Sequence, residues 1–327
     1  MFSAIYIEKE VQSHERVREI LSRFPDIPHI SCERYGEIFN RKGQNFRLQK
    51  KFPALILAKK YGNLVLASPE GYGFEEGASY YFSHMLNCVY DCRYCFLQGM
   101  YRSANYVLFI NYEDFEAEIE SSIKSASAPA VFYSGYDCDS LALEPVSKFC
   151  EYFLPVFRRN SNAIIEIRTK STQIRSLLDT DSMQNCIIAM SFTAHDANKE
   201  FEHKVPSIAK RVEALQKLQQ AGWSIALRFE PIIWEQNLIE NYQILFDEIF
   251  SSINASGVHT ASIGEFRMPT GFYKNIVKLY LDEALYARET KTEDGMITLA
   301  SDNNDPMQEL EQLLLGYVSP EQYYRCA

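Results

Sequence analysis

No run in the 327-residue chain approaches the roughly 18 consecutive apolar residues that a bilayer-spanning helix needs. The N-terminus, MFSAIYIEKEVQSHERVREI, lacks a basic region followed by an apolar run and a small-residue cleavage site. Export and a membrane partner are therefore not expected, and the cytoplasm is the expected location. Internal repeats and low-complexity tracts are also missing, which argues against a solenoid or a disordered chain. Positive charge is in deficit: the formal net charge is −10, which counts against a protein built chiefly to grip phosphate backbones. One segment runs the other way. Residues 41–60 hold Arg41, Lys42, Arg47, Lys50, Lys51, Lys59 and Lys60 with no Asp or Glu, and read as either a solvated surface or a nucleic-acid contact. A composition of 46% hydrophobic and 23% charged residues is that of a globular chain with one large or two medium domains.

Of the eight cysteines only three cluster, in NCVYDCRYCFLQG, as Cys88-x3-Cys92-x2-Cys95. In a reducing compartment such a cluster points to metal rather than to disulfides. A structural zinc site would ask for a fourth ligand, usually from a second Cys or His pair, and the sequence has none. His84 is nearby, but reads as a surface or hydrogen-bonding residue. Thiolates bind iron well, and a [4Fe–4S] cubane held by three cysteines keeps one iron open for a small ligand. Cys150 and Cys186 sit in apolar surroundings and read as core.

Short apolar runs fill the first eighty residues, and SPEGYGFEEGASYY reads as a loop or boundary. Strands then alternate with helices. The expected strands are 106–110, 129–135, 163–169, 187–193, 224–233 and 259–266. Asn111 is placed to cap a helix, Pro155 to kink or end one, and Pro206 and Gly222 to bracket another. Six such units imply parallel β/α architecture, either an open sheet or a partial barrel, with its chemistry at the C-terminal strand ends. Lys170 follows a strand, where a flexible cation suits a carboxylate; Ser191 lies inside one, where its hydroxyl needs a partner. Arg228 and Glu230 read as a buried pair that fixes the barrel, or as catalytic groups.

The Cys88, Cys92, Tyr94, Cys95 pattern resembles the signature of the radical S-adenosylmethionine (SAM) superfamily, and most of the chain resembles spore photoproduct lyase. Tyr94-Cys95-Phe96-Leu97-Gln98 is similar to that family's Tyr-Cys-Tyr-Leu-Gln. Asp139 and Glu144 match its acidic pair, and FEHKVPSIAKRVEALQKLQQAGW, with Glu202, Pro206, Arg211 and Gly222, follows one of its segments. The resemblance implies α/β architecture: a partial (β/α)6-type radical SAM barrel over 79–270, an N-terminal α/β extension over 1–78 and a helical C-terminal segment over 271–327. It implies a [4Fe–4S] cluster on the three cysteines and SAM as cofactor. Tyr94 would lie against the adenine, Lys170 by the SAM carboxylate and Ser191 by the ribose or carboxylate, with Asp139 also at the SAM site. Reductive cleavage of SAM to a 5′-deoxyadenosyl radical needs an electron donor such as flavodoxin or ferredoxin, and damaged DNA is the implied substrate.

Two positions depart from the family. Phe96 replaces a tyrosine, and Tyr136 stands where the family has its hydrogen-donating cysteine. Cys138, two residues on, matches a serine expected to touch SAM. Cys138 and Tyr136 are thus both candidate hydrogen donors, with Cys138 slightly preferred on thiol chemistry. Three classes follow: a thymine-lesion lyase, a radical SAM enzyme of the same family with a non-DNA substrate, and a non-enzymatic metal-binding module.

Overall fold

The computed structural model describes residues 2–69, 71–73, 78–126, 129–300 and 306–326. Seven parallel strands form the main sheet: β1 (Ser79–Phe82), β2 (Ala130–Ser134), β3 (Ala163–Thr169), β4 (Cys186–Ser191), β5 (Ser224–Ile232), β6 (Val258–Glu265) and β7 (Tyr323–Arg325), paired in that order. A two-residue antiparallel strand, Leu66–Ala67, closes the β1 edge. The inner strands are almost wholly buried because helices cover their outer face, so they read as continuous apolar runs.

Five of the six strands expected for this sheet lie in it. The sixth, Tyr106–Phe109, does not. It joins a second sheet with His29–Cys32, Ile5–Glu8, Leu55–Ala58 and Met85–Leu86, pairing parallel to Leu55–Ala58. Its place in the barrel is taken by β1, at the end of the expected loop over 68–81; residues 70 and 74–77 of that loop lie outside the described residues. The reason is chain connectivity. The chain crosses to the N-terminal sheet just after β1, Met85–Leu86 pairs there, and after the thirteen-residue cysteine loop the next apolar strand lies between it and Leu55–Ala58. One hydrophobic core runs beneath both sheets, including Ile5, Leu57, Phe82, Leu108, Phe153 and Ile188.

Local signals act in unexpected ways at two points. Asn111 precedes the helix Tyr112–Ser125 without capping it; its amide instead accepts from Lys60 N (2.9 Å) and donates to Lys60 O (3.0 Å). Pro155 sits inside the helix Phe149–Arg159, and the break comes earlier, at Lys148, with φ 50°. By contrast, Ser207 caps the helix Ile208–Gln220, and Gly222 at φ 84° ends it, as the sequence implies.

The C-terminal segment contains the helices Thr270–Leu279 and Pro306–Leu315, the hairpin Thr290–Glu293 and Met296–Leu299, which Arg267–Pro269 extends to a three-stranded antiparallel sheet, and β7. Gly99 lets the first of these helices close on the cysteine loop: a Cβ there would lie 2.2 Å from Phe272 O.

Candidate active site

The three cysteines lie on the loop that leaves the C-terminal end of β1, so the topology brings them to the ends of β2, β3 and β4. The thiol of Cys92 is buried and those of Cys88 and Cys95 are half-buried; all three are free. The loop is held from several sides. Lys50 Nζ donates to Cys88 O (2.8 Å) and Tyr90 O (2.7 Å). Gln98 Nε2 donates to Cys92 O (2.5 Å), and Tyr280 Oη donates to Gln98 Oε1 (2.6 Å). Asp91–Cys92 pairs antiparallel with Glu202–His203. Burial pushes the Cys88 thiol up to about 12, against the pull of the Lys50 ammonium. Metal binding reverses this, since a coordinating thiol is deprotonated outright. Three thiols with a buried cation beside them suit the separate irons of a cubane, which take one thiolate each.

Next to the loop, Glu202 joins four elements. Its Oε1 accepts from Tyr94 Oη and lies 3.1 Å from Lys170 Nζ; its Oε2 accepts from Arg211 (2.8 Å) and Asn198 (2.6 Å). Burial opposes the charge on Glu202, but Lys170 and Arg211 outweigh it and hold the carboxyl at about 2. Arg211 also donates to Ser191 O (2.6 Å) at the end of β4. Tyr94, Lys170 and Ser191, expected at the SAM site, are thus gathered by one carboxylate and one guanidinium. Lys170 Nζ is buried, ion-paired but without a well-aligned hydrogen bond among the described residues, leaving donors for an incoming carboxylate.

Asp139 has another use. Its Oδ1 accepts from Leu141 N (3.0 Å), Ala142 N (2.9 Å) and Thr169 Oγ1 (2.7 Å), and its Oδ2 from Lys170 N (2.7 Å). It therefore ties the β2 loop to the β3 end and fixes the backbone that carries Lys170. Glu144 accepts from Cys150 N (3.0 Å) at the start of the helix Phe149–Arg159, and burial raises its carboxyl to about 7.

Cys138 is the candidate hydrogen donor that thiol chemistry prefers. It is 5% exposed and belongs to the main core, so burial pushes its pKa well up. Tyr136 is half-buried in an aromatic patch with Tyr81 (4.5 Å between centroids), Tyr72 (5.4 Å) and Phe96 (5.7 Å). Arg168 lies over Tyr72 at 4.6 Å.

Arg228 and Glu230 do not pair with each other. Arg228 binds Glu166 (2.6 Å), and Glu230 binds Arg168 (3.1 Å). Arg168 also donates to Glu166 (3.0 Å), so the four side chains form one network across β3 and β5 rather than a pair within β5. Lys50 corrects the reading of the basic run: it is 4% exposed, presented inward with Phe46 by the helix Phe46–Lys51. The signal for this was the i, i+4 spacing of Phe46 and Lys50.

A curled parallel sheet with a three-cysteine loop at its C-terminal ends defines the class: this is a radical SAM enzyme. The sequence profile of spore photoproduct lyase matches residues 71–285, and the chain belongs to that family. Curated spore photoproduct lyases from Bacillus subtilis and Clostridium acetobutylicum are 21% and 20% identical. The first alignment covers 76% of this chain and 73% of the relative, the second 98% and 96%. A solved spore photoproduct lyase complexed with dinucleoside spore photoproduct superposes with a TM-score of 0.84 at 17% identity over 99% of each chain. A double mutant with bound AdoMet and the same dinucleoside gives 0.83 at 16% identity, over 100% of this chain and 98% of the other. No helix among the described residues is long and apolar enough to cross a membrane.

Proposed function

We propose that this enzyme repairs a spore-photoproduct-type thymine lesion in DNA, with Cys88, Cys92 and Cys95 holding a [4Fe–4S] cluster. The observation that carries the reading is the Glu202 junction, which joins the SAM-facing candidates Tyr94, Lys170 and Ser191 to the cysteine loop. Bound together, the cluster and SAM supply a 5′-deoxyadenosyl radical. The protein's own residues do the rest. Lys170 presents a cation to the SAM carboxylate, Tyr94 offers its ring to the adenine, and Ser191 faces the same cofactor. Asp139 holds the Lys170 backbone in place, and the Asp139 loop leads on from the segment that carries Tyr136.

Half-burial in an aromatic patch supports Tyr136, rather than the core-buried Cys138, as the hydrogen source nearest the substrate. The proposed division into 1–78, 79–270 and 271–327 assigns the chemistry to the middle part and bracing of the cysteine loop to the last.

The test is anaerobic turnover of a synthetic dinucleoside spore photoproduct, which has no bridging phosphate, by reconstituted enzyme, with products resolved by mass. Wild type is expected to release two thymidine units, and Tyr136→Phe to divert products while Cys138→Ala does not. The cysteine-to-alanine variants are expected to lose the cluster and all SAM cleavage. Wild type that cleaves SAM but leaves the lesion intact would overturn the substrate and point to the non-DNA reading.

A further inference from the structure

A groove of about 410 Å3 opens on the cysteine loop from the side of the helix Phe46–Lys51. Arg47, Lys51, Arg93 and Lys204 line it together with Leu48 and Asp91. A neighbouring groove of about 430 Å3 shares Arg47 and adds Lys278 and Leu281. Neither is lined by Tyr94, Asp139, Lys170, Ser191 or Glu202, so both are separate from the SAM-facing side.

Three features of this surface go together. First, it is basic in a chain of net charge −10. Arg47 pairs with Asp282 (3.4 Å), and Arg93 with Asp91 (2.7 Å) and Glu283 (3.0 Å), but Lys51, Lys204 and Lys278 have no carboxylate partner among the described residues. Second, it is apolar where a surface ordinarily is not: Leu48 is 59% exposed and Leu281 84%. Third, it touches the cysteine loop directly. Asp91 and Arg93 belong to that loop, and Lys50, which also lines the groove, bonds the Cys88 and Tyr90 carbonyls.

We infer that this surface docks the electron donor, a small acidic protein that carries one electron at low potential. The inference rests on the radical SAM reading, which requires an electron from outside. One electron leaves the carrier and enters the enzyme through the cysteine loop; no atom or proton is transferred. Unpaired lysines steer an acidic partner, and exposed leucines give it a dry contact, within the small, wet interfaces typical of electron-transfer encounters. A nucleic acid fits less well, because Leu48 and Leu281 offer nothing to phosphates and the patch does not extend to the SAM-facing side.

The test uses flavodoxin as the probe and a triple variant, Lys51→Glu, Lys278→Glu and Leu281→Asp, all exposed positions; a milder Lys51→Ala, Lys278→Ala pair covers the case of misfolding. Oxidised flavodoxin is titrated against each protein without SAM, so this arm is independent of turnover. The expected result is an affinity at least about tenfold weaker in the triple variant, together with a wild-type association rate that falls as salt rises. SAM cleavage driven by reduced flavodoxin is expected to fall alongside, and cleavage driven by dithionite to match wild type. Unchanged flavodoxin affinity overturns the docking site, as does a loss confined to DNA affinity. Failure of dithionite-reduced wild type to cleave SAM overturns the radical SAM reading instead, and leaves the binding result standing on its own.

Discussion

Glu202 shows how much of this site depends on one buried charge. Its two oxygens accept or face four groups from four elements, among them the fully buried Arg211. Replacing it as Glu202→Gln keeps the shape but leaves Arg211 without a counter-charge, a change that costs about 3–5 kcal/mol when a buried pair is broken. Chemical denaturation is expected to show that loss. Lys170→Ala removes one of the two cations that face Glu202 but leaves Arg211 paired with it, so a smaller loss of stability is expected, with iron content unchanged, while SAM affinity falls by about tenfold or more. Isothermal titration with SAM and iron analysis of the same samples separate the two outcomes; equal SAM affinity would remove Lys170 from the site. At this scale the sequence was most legible where partners are close in the chain. Cys88, Cys92 and Cys95, the proposed ligands, lie within eight residues, so their spacing alone carries the meaning. The Glu202 junction draws on Tyr94, Lys170, Asn198 and Arg211, and no local pattern announces that they meet. Cys138 and Tyr136 are separable only through burial, because loop positions two residues apart have different surroundings, one in the core and one in a half-buried aromatic patch.

The helix Phe46–Lys51 is only six residues long, yet it delivers Lys50 beneath the cysteine loop. Asn45 caps it, accepting from Leu48 N at 3.0 Å, and the buried Phe46 anchors its inner face. Lys50→Met would keep the packing and leave the Cys88 and Tyr90 carbonyls without their donor. Two consequences are expected in reconstituted protein. Iron should be lost faster to a chelator, because the loop is less firmly held. The cluster's midpoint potential should move to more negative values, because the reduced form loses a neighbouring cation. Spectroscopic redox titration reads the second; a potential unchanged from wild type would show that Lys50 acts on the loop alone. Elements were legible in kind more often than in place. The run 106–110 holds the strand Tyr106–Phe109, as its apolar pattern says, but pattern cannot tell which of two sheets receives it. β1 and β7 were missed because each is short and sits beside polar or glycine-rich sequence, so their pairing comes from the sheet edge they complete rather than from their own propensity.

At the scale of the whole molecule, the two sheets are joined at residues 83 and 84, between β1 and Met85–Leu86, and His84 lies in that seam. The chain there passes from one sheet to the other, with His84 O accepting from Phe109 N at 3.0 Å. The ring is fully buried against Phe149, 4.5 Å between centroids, and neither nitrogen has a partner among the described residues. This corrects the expectation of a surface or hydrogen-bonding histidine. Burial pushes its pKa down to about 3, so the folded protein keeps the ring neutral. An unfolded chain protonates the same ring below about pH 6.5. The unfolded state therefore binds the extra proton, and stability falls as pH drops from about 6.5 towards 3. Glu202 and Glu166, whose carboxyls are held at about 2 by their cationic neighbours against the cost of burial, add to the loss as pH falls through the ordinary carboxylate range towards 2. Glu144 and Glu235, raised to about 7 by burial, gain stability over the same fall in pH, so the histidine contribution is isolated by the difference between a His84 variant and wild type between about pH 6.5 and 4.5. His84→Phe replaces an unsatisfied polar ring with an apolar one beside Phe149. Its thermal midpoint, measured on the apo-protein to keep cluster loss out of the comparison, should exceed wild type by a margin that grows as pH falls through that window. The difference should reach on the order of 2 kcal/mol near pH 4.5 relative to neutral pH. A margin independent of pH would mean that His84 finds a proton acceptor in the folded seam, and that the junction between the sheets is polar rather than dry.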